Sequence, residues 1–201
     1  MSKPRLNRNT RQRKPKKAKP ICVIATEGKE TEKIYFDKIR EIYRDKYTIH
    51  ILPTDQRGKS APKHIVQRIE NFKRKKVSTN LKNDEYWAIV DFDSWGEEQL
   101  AEAHRVCESN KFELAVSNPC FELWLNFHQD KPKSPKTCAE CKKQVEKLLG
   151  VYDKNDYDAE KLIEKVASAI NKAEQLHQNK SEPFPKETGT HVYKLVQKLI
   201  G

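Results

Sequence analysis

The residues of this sequence that could carry out chemistry are acids placed at the ends of apolar segments. One glutamate follows the segment ICVIAT, two aspartates close the segment YWAIVDFD, and another glutamate comes shortly after FELAVSN. These acids are Glu27, Asp91, Asp93 and Glu122. An acid beside a buried strand is desolvated, and several such acids repel one another unless a cation or a donor compensates them. A divalent metal would remove that repulsion, so the pattern indicates metal-dependent chemistry.

The spacing of the two aspartates supports this interpretation. Side chains two residues apart on a strand point to the same side, so Asp91 and Asp93 could share an ion while Phe92 faces the core. Mg2+ prefers oxygen ligands and usually keeps water or phosphate oxygens in its shell. Gly28 would allow a sharp turn after Glu27 and leave space for a phosphate. Asp93 could equally cap the helix that follows, so the aspartate pair alone is a weak signal.

Hydrophobic periodicity predicts the elements that would position these acids. Four short β-rich segments alternate with segments of helical spacing, which favours right-handed βαβ crossovers. The strands are expected at 21–26, 47–53, 86–93 and 112–118. The predicted fold class is therefore α/β, with a mainly parallel four-stranded sheet flanked by helices. Sites in such sheets lie at the carboxyl ends of the strands, so the acids should meet at one edge.

The chain is expected to have three parts. They are a disordered basic arm at 1–20, an α/β domain at 21–128, and a helical annex packed on the sheet domain at 129–201. The strand pattern stops near residue 129, which is why the last part is predicted to be helical. Its helical patterns lie at 137–149, 158–178 and 188–200.

Most of the positive charge lies in the arm. Lys and Arg number 40 and Asp and Glu 29, a formal net charge of +11, and nine of the basic residues fall within 1–20, which hold no acid. Such an arm would bind nucleic-acid phosphates without sequence preference, although it could instead be only a solubilising extension. The residues expected to contact phosphates, two of them in a predicted loop, are Arg11, Arg13, Lys14, Lys16, Lys17, Arg57 and Lys59.

Several classes of protein lose support from the same sequence. It has no Walker A loop and no GxGxxG motif, so P-loop NTPases and dinucleotide-binding proteins are disfavoured. It has no apolar run long enough to span a membrane and no secretory signal, so the expected location is the cytoplasm. The five cysteines are scattered, and we interpret them as reduced thiols. Cys138-x-x-Cys141 has half of a zinc-site spacing, but helix packing is the favoured interpretation.

The acidic motifs resemble the Toprim domain of topoisomerases, primases and OLD-type nucleases. The segments EGKETEKIYF, DFD, SNPCFELWLNFH and TGTHVYKLVQKL resemble, more specifically, the RloB-like family of prokaryotic defence-associated proteins. This resemblance implies a Toprim-like sheet and a nuclease that depends on Mg2+ or Mn2+ and cleaves RNA or DNA. It also implies an anti-phage defence role, with an AAA-type or ABC-type ATPase as partner. A homodimer is a further assembly to be considered.

The resemblance also assigns roles to the acids. Glu27 matches the Toprim glutamate, Asp91 and Asp93 match the DxD pair, and Glu122 is the additional acid. OLD-like nucleases tend to carry a second acid four residues after the motif glutamate, and here that place is Thr31. The flanking acids Glu30 and Glu32 are both candidates. A late lysine used by such nucleases has no clear match.

The expected mechanism is two-metal hydrolysis of a phosphodiester. Glu27, Asp91 and Asp93 would hold one ion, and Glu122 with Glu32 would complete a second site. Glu27 is also the candidate general acid or base. Lys29 lies in the same turn and could offset charge in the transition state, or could be an ordinary solvated lysine.

Two other functions fit the same residues. One is a non-catalytic nucleic-acid-binding module, in which the arm binds and the carboxylates only cap helices. The other is a primase-like nucleotidyl transferase, which would require nucleoside triphosphates. The roles of His128 and His191 are left open, since a histidine at either position could simply pack or end a helix.

Overall fold

The fold was analysed in a computed structural model, which describes residues 19–54, 61–76, 82–132, 134–177, 179 and 181–201. Within these residues the chain forms a mixed sheet of five strands and eight helices. The strands are β1 (Ile21–Thr26), β2 (Thr48–Leu52), β3 (Glu85–Asp91), β4 (Glu113–Asn118) and β5 (Gly189–Thr190). The helices are α1 (Thr31–Ile42), α2 (Pro62–Lys75), α3 (Gly96–Asn110), α4 (Glu122–Asn126), α5 (Cys138–Leu149), α6 (Ala159–Ile163), α7 (Val166–Leu176) and α8 (Val192–Ile200).

The strands lie in the order β2-β1-β3-β4-β5. The first four are parallel, and β5 runs antiparallel to β4. The α/β class is therefore confirmed, but the prediction of four strands was wrong because β5 adds a fifth. β5 has only two residues, Gly189 and Thr190, so it shows no periodicity that a sequence pattern could reveal.

Helices cover both faces of the sheet, which explains why its central strands are apolar throughout. β1 is buried over its whole length, with Val23 and Ala25 facing one core and Cys22 and Ile24 facing the other. The first core is closed by α2 and α3. The second is closed by α1 and by helices from the C-terminal part of the chain, including α7 and α8. Alternate residues of β1 therefore pack into the two cores on opposite faces of the sheet.

The C-terminal helices differ in detail from their predicted bounds. The pattern at 158–178 forms two helices, α6 and α7, with a break between them. Before them, α4 begins at Glu122, and the Asn118–Pro119 peptide bond is cis. Among the described residues, none of the helices combines the length and the apolar character needed to cross a membrane. The division of the chain at residue 128 remains a prediction.

Candidate functional site

The carboxyl ends of β1, β3 and β4 lie side by side at one edge of the sheet. Thr26 is in register with Ile89, and Asp91 is in register with Ser117. The amide of Glu27 continues the ladder by donating to the carbonyl of Ile89 over 3.0 Å. Parallel pairing therefore brings Glu27 to the end of β3, next to Asp91.

Glu27 is held by two donors from the β3 side. Its Oε2 accepts hydrogen bonds from the Asp91 amide at 3.1 Å and from the Trp95 indole Nε1 at 2.9 Å. Its Oε1 accepts no hydrogen bond from the residues that the structure describes. One oxygen of this carboxylate is thus fixed, and the other is available to a ligand.

Asp91 connects the end of β3 to the start of α4. Its Oδ1 accepts a hydrogen bond of 2.9 Å from the amide of Phe121. Burial raises the pKa of Asp91 well above its ordinary value, and the charges of Glu32, Glu27 and Glu122 raise it further. The three other carboxylates act on Asp91 because they lie near it. We call Glu27, Glu32, Asp91 and Glu122 the carboxylate cluster.

Glu32 enters the cluster from the first turn of α1. The side chain is buried, and its Oε1 accepts a hydrogen bond of 3.0 Å from the Gly28 amide. Burial raises the pKa of Glu32 to about 7, against hydrogen bonds that lower it, and the charges of Glu122 and Glu27 add to the rise. Of the two acids beside Thr31, Glu32 is therefore the one in the cluster, whereas Glu30 is exposed.

Gly28 was predicted to leave space for a phosphate, but in the structure it lies against the Glu32 carboxylate. A Cβ on Gly28 would collide with the Glu32 carboxylate, so the space over this glycine is filled by Glu32 rather than left for a phosphate. Its φ also lies outside the left-handed region. The hydroxyls of Thr26 and Thr54 donate to the Gly28 carbonyl at 2.8 and 3.2 Å. Gly28 is needed here because its backbone and the Glu32 carboxylate approach closely, and a phosphate-binding role for it stays a prediction.

Glu122 begins α4 and is buried. The Tyr152 hydroxyl donates to its Oε1 over 3.3 Å, and the Lys142 Nζ lies 4.0 Å from the same oxygen. Tyr152 also lies 3.5 Å from the Thr31 hydroxyl, beside Glu32. The segment after residue 129 therefore contributes directly to the surroundings of the cluster.

The cluster carries more negative charge than its neighbours neutralise. Within the described parts of the chain, Glu27, Glu32 and Asp91 form no ion pair, and Glu122 has only the distant contact with Lys142. Repulsion among buried carboxylates is unfavourable unless protons or cations balance it. The arrangement therefore suits the binding of a cation.

Asp93 differs from the other predicted ligands because it is exposed in the turn after β3. β3 ends at Asp91, so the alternation of side chains does not extend to Asp93. Its Oδ2 accepts a hydrogen bond of 3.3 Å from the Cys138 thiol. Its part in metal binding remains a prediction.

The predicted basic contacts are only partly covered by the structure. Lys29 is exposed and forms no hydrogen bond or ion pair with a described residue. The remaining basic residues fall at positions that the structure does not describe, and their nucleic-acid role stays a prediction. They are Arg11, Arg13, Lys14, Lys16, Lys17, Arg57 and Lys59.

The donor set fits a hard divalent cation in its chemistry, but the ligands are not preformed. Carboxylate oxygens are the ligands that Mg2+ and Mn2+ prefer. Across the described residues, no group of three or more His, Cys, Asp and Glu side chains is arranged to hold a metal ion. The fit therefore rests on four converging carboxylates with one unoccupied oxygen on Glu27, and binding would require their side chains to turn toward the ion.

Sequence reasoning missed Trp95 and Tyr152. Both reach the cluster through side-chain hydrogen bonds, and neither belongs to an acidic motif. Glu32 did carry a signal, because it precedes Tyr35, Phe36 and Ile39 at helical spacing and so lies on the buried stripe of α1. That periodicity distinguishes Glu32 from Glu30.

The histidines and cysteines left open by the sequence lie outside the cluster. His128 is buried, and its imidazole lies 3.1 Å from both the Tyr35 hydroxyl and the Trp124 carbonyl. His191 is also buried, 3.2 Å from the His177 ring. Cys141 is packed in the core, and all five cysteines are free.

One of three comparisons with known proteins identifies a family. The family model described as RloB-like protein matches residues 22–199. No curated protein matches the chain, and no solved structure matches it.

Proposed function

The chain belongs to the RloB-like family, and on that premise we propose that it is a metal-dependent phosphodiester hydrolase acting on nucleic acid. The observation that carries the proposal is the carboxylate cluster at the carboxyl ends of parallel strands. Burial and the charges of neighbouring carboxylates raise the pKa of Glu32 and Asp91, and the cluster lacks matching cations among the described residues. Such an arrangement costs stability, so it points to a functional role.

Glu27, Glu32, Asp91 and Glu122 would hold the metal. When bound, Mg2+ or Mn2+ would stabilise negative charge on phosphate oxygens and lower the pKa of a coordinated water. Asp93 could join these ligands from the adjacent turn.

Glu27 is the best candidate to accept a proton from the attacking water. Its Oε2 is fixed by Asp91 and Trp95, and its Oε1 is free of hydrogen bonds from described residues. A carboxylate fixed through one oxygen keeps the other in a defined position, which a general base requires. Lys29, exposed in the same turn, would offset charge that develops on the phosphate.

The proposed architecture is Toprim-like, and the proposed setting is prokaryotic anti-phage defence with an AAA-type or ABC-type ATPase partner. Both come from the resemblance of the acidic motifs. The parallel order β2-β1-β3-β4, with acids after β1 and at the end of β3, supports the architectural part. A pull-down with the purified ATPase of the same gene neighbourhood tests the partner.

One cleavage assay tests the function. Mixed RNA and DNA substrates are incubated with wild type and Asp91→Asn in Mg2+, in Mn2+ or in EDTA. Cleavage by wild type alone, and only with metal, supports the hydrolase. Binding without cleavage in every condition contradicts it and favours the binding module. A product that forms only with added nucleoside triphosphates favours the nucleotidyl transferase.

A further inference from the structure

A surface rich in lysine lies beside α5, next to the carboxylate cluster. A cavity of about 750 Å3 is lined by Tyr152 and by Lys142, Lys143 and Lys154. A second cavity of about 300 Å3 is lined by Lys131, Lys143 and Lys147. Lys143 lines both, so the two cavities adjoin at this residue on neighbouring sides of α5. We call Lys131, Lys142, Lys143, Lys147 and Lys154 the lysine groove.

The groove begins at the cluster. Tyr152 lines its first cavity and donates to Glu122 Oε1, and the Lys142 Nζ lies 4.0 Å from the same oxygen. At the amino end of α5, the Cys138 thiol contacts Asp93. The first cavity of the groove therefore lies next to Glu122 of the carboxylate cluster.

The lysines of the groove are available to an anion from outside. Among the described residues, Lys131, Lys143, Lys147 and Lys154 form no ion pair. The lysines of α1 differ, since Lys33 is paired with Asp37. Because these lysines are unpaired among the described residues and lie close together, they make this surface positive.

Three acids line the same cavities, and two of them are engaged locally. Glu140 accepts a hydrogen bond of 2.8 Å from the Lys136 amide at the start of α5. Asp153 accepts from the amide and the side chain of Asn155 at 2.9 and 3.0 Å. Glu146 is the third. The five lysines thus outnumber the acids and keep the groove positive.

We propose that the lysine groove binds the phosphodiester backbone of a nucleic-acid strand and leads it to the carboxylate cluster. This inference rests on the proposed function for the identity of the ligand. Lysine binds phosphate as a point charge, so the groove would read the backbone rather than the bases.

The test is a binding measurement on the full chain in EDTA, where cleavage does not interfere. The groove variant carries Lys143→Gln, Lys147→Gln and Lys154→Gln. These residues are exposed and do not touch the cluster. The matched control carries Lys75→Gln, Lys82→Gln and Lys111→Gln, which are exposed at the opposite edge of the sheet, at the end of α2 and before β3 and β4. The probes are fluorescein-labelled single strands and duplexes of RNA and DNA, followed by anisotropy at several salt concentrations.

The groove variant should bind about tenfold more weakly or worse at 0.1 M salt, with the slope of log K against log salt reduced by about three, one per lysine. The control should bind as wild type does. Equal binding by groove variant and wild type, or an equal loss in the control, would overturn the proposal. An acidic protein would then be the better candidate for the groove.

The outcome separates this inference from the proposed function. If Asp91→Asn abolishes cleavage while the groove variant binds and cleaves normally, the groove is excluded and the hydrolase stands. If wild type cleaves nothing while the groove variant alone loses affinity, the hydrolase fails and the groove is supported as a binding surface.

Discussion

Glu27 and Asp91, which are 64 residues apart in the sequence, are joined by a hydrogen bond of 3.1 Å from the Asp91 amide to Glu27 Oε2. The bond ties a side chain that follows β1 to the backbone at the end of β3. The Asp91 amide fixes the Glu27 carboxylate, and the Phe121 amide fixes the Asp91 carboxylate, so both acids are held by backbone donors.

This relationship predicts that Asp91→Asn and Glu27→Gln each abolish cleavage without unfolding the chain. The amide oxygen can still accept the bonds from Phe121, or from Asp91 and Trp95, so the fold should be retained. Loss of a ligand that stabilises charge by several kcal/mol should reduce the cleavage rate by about a thousandfold or more. Single-turnover assays and circular dichroism would measure the two effects.

Glu98→Gln provides the matched control, since Glu98 is an exposed acid in the first turn of α3. It should cleave at the wild-type rate. Full activity in Asp91→Asn, or equal loss in Glu98→Gln, would contradict the assignment of the cluster.

Glu32→Gln should make the metal-free protein more stable. The substitution removes a buried charge that is repelled by Glu122 and Glu27, and its amide oxygen can still accept from Gly28. We expect the free energy of unfolding to rise by about 1 kcal/mol at pH 8 in EDTA. Urea denaturation measures it, and a clear loss of stability would show that the repulsion in the cluster is not significant.

Mg2+ or Mn2+ should raise the melting temperature of wild type. At a metal concentration of about 100 times Kd, binding to the native state adds about 2.7 kcal/mol, or about 5–10 °C for a chain of this size. The increase should be lost in Asp91→Asn and retained in Glu98→Gln. Differential scanning fluorimetry at constant ionic strength tests this, and an equal shift in both variants would indicate binding elsewhere.

Tyr152→Phe should slow cleavage by about tenfold or more while leaving the fold intact. It removes the hydrogen bond to Glu122 Oε1, and a bond to a charged group contributes about 1.5–3 kcal/mol. Tyr43→Phe, which alters a tyrosine outside the site, serves as control. If Tyr152→Phe cleaves normally, Tyr152 does not position Glu122 for the reaction.

His128 should make the protein sensitive to acid. Burial lowers the pKa of His128 from 6.5 to about 4. Between these pH values the unfolded chain binds a proton at His128, whereas the native state does not. The stability from this group is present above pH 6.5 and is lost as the pH falls toward about 4, by about 3 kcal/mol in total. Urea denaturation at pH 7, 6 and 5 should show a smaller pH dependence in His128→Gln. An unchanged dependence would show that other groups control it.

The sequence revealed the long elements and only part of the site. Strand β1 has the bounds that its apolar pattern predicts, because a continuous apolar run is a local signal. β5 is too short for such a signal, and its place beside β4 depends on the packing of α7 and α8. Tyr152 is similar, since nothing near it in the sequence indicates that its hydroxyl reaches Glu122.

The late position of β5 and α8 has a consequence for synthesis. A growing chain exposes Glu27, Asp91 and Glu122 to the ribosome's surroundings long before Gly189 and Thr190 leave the exit tunnel. Until then β4 lacks its outer neighbour, and Leu195 and Val196 are missing from the second core. The sheet and the second core beside the carboxylate cluster are therefore completed only after β5 and α8 have been synthesised.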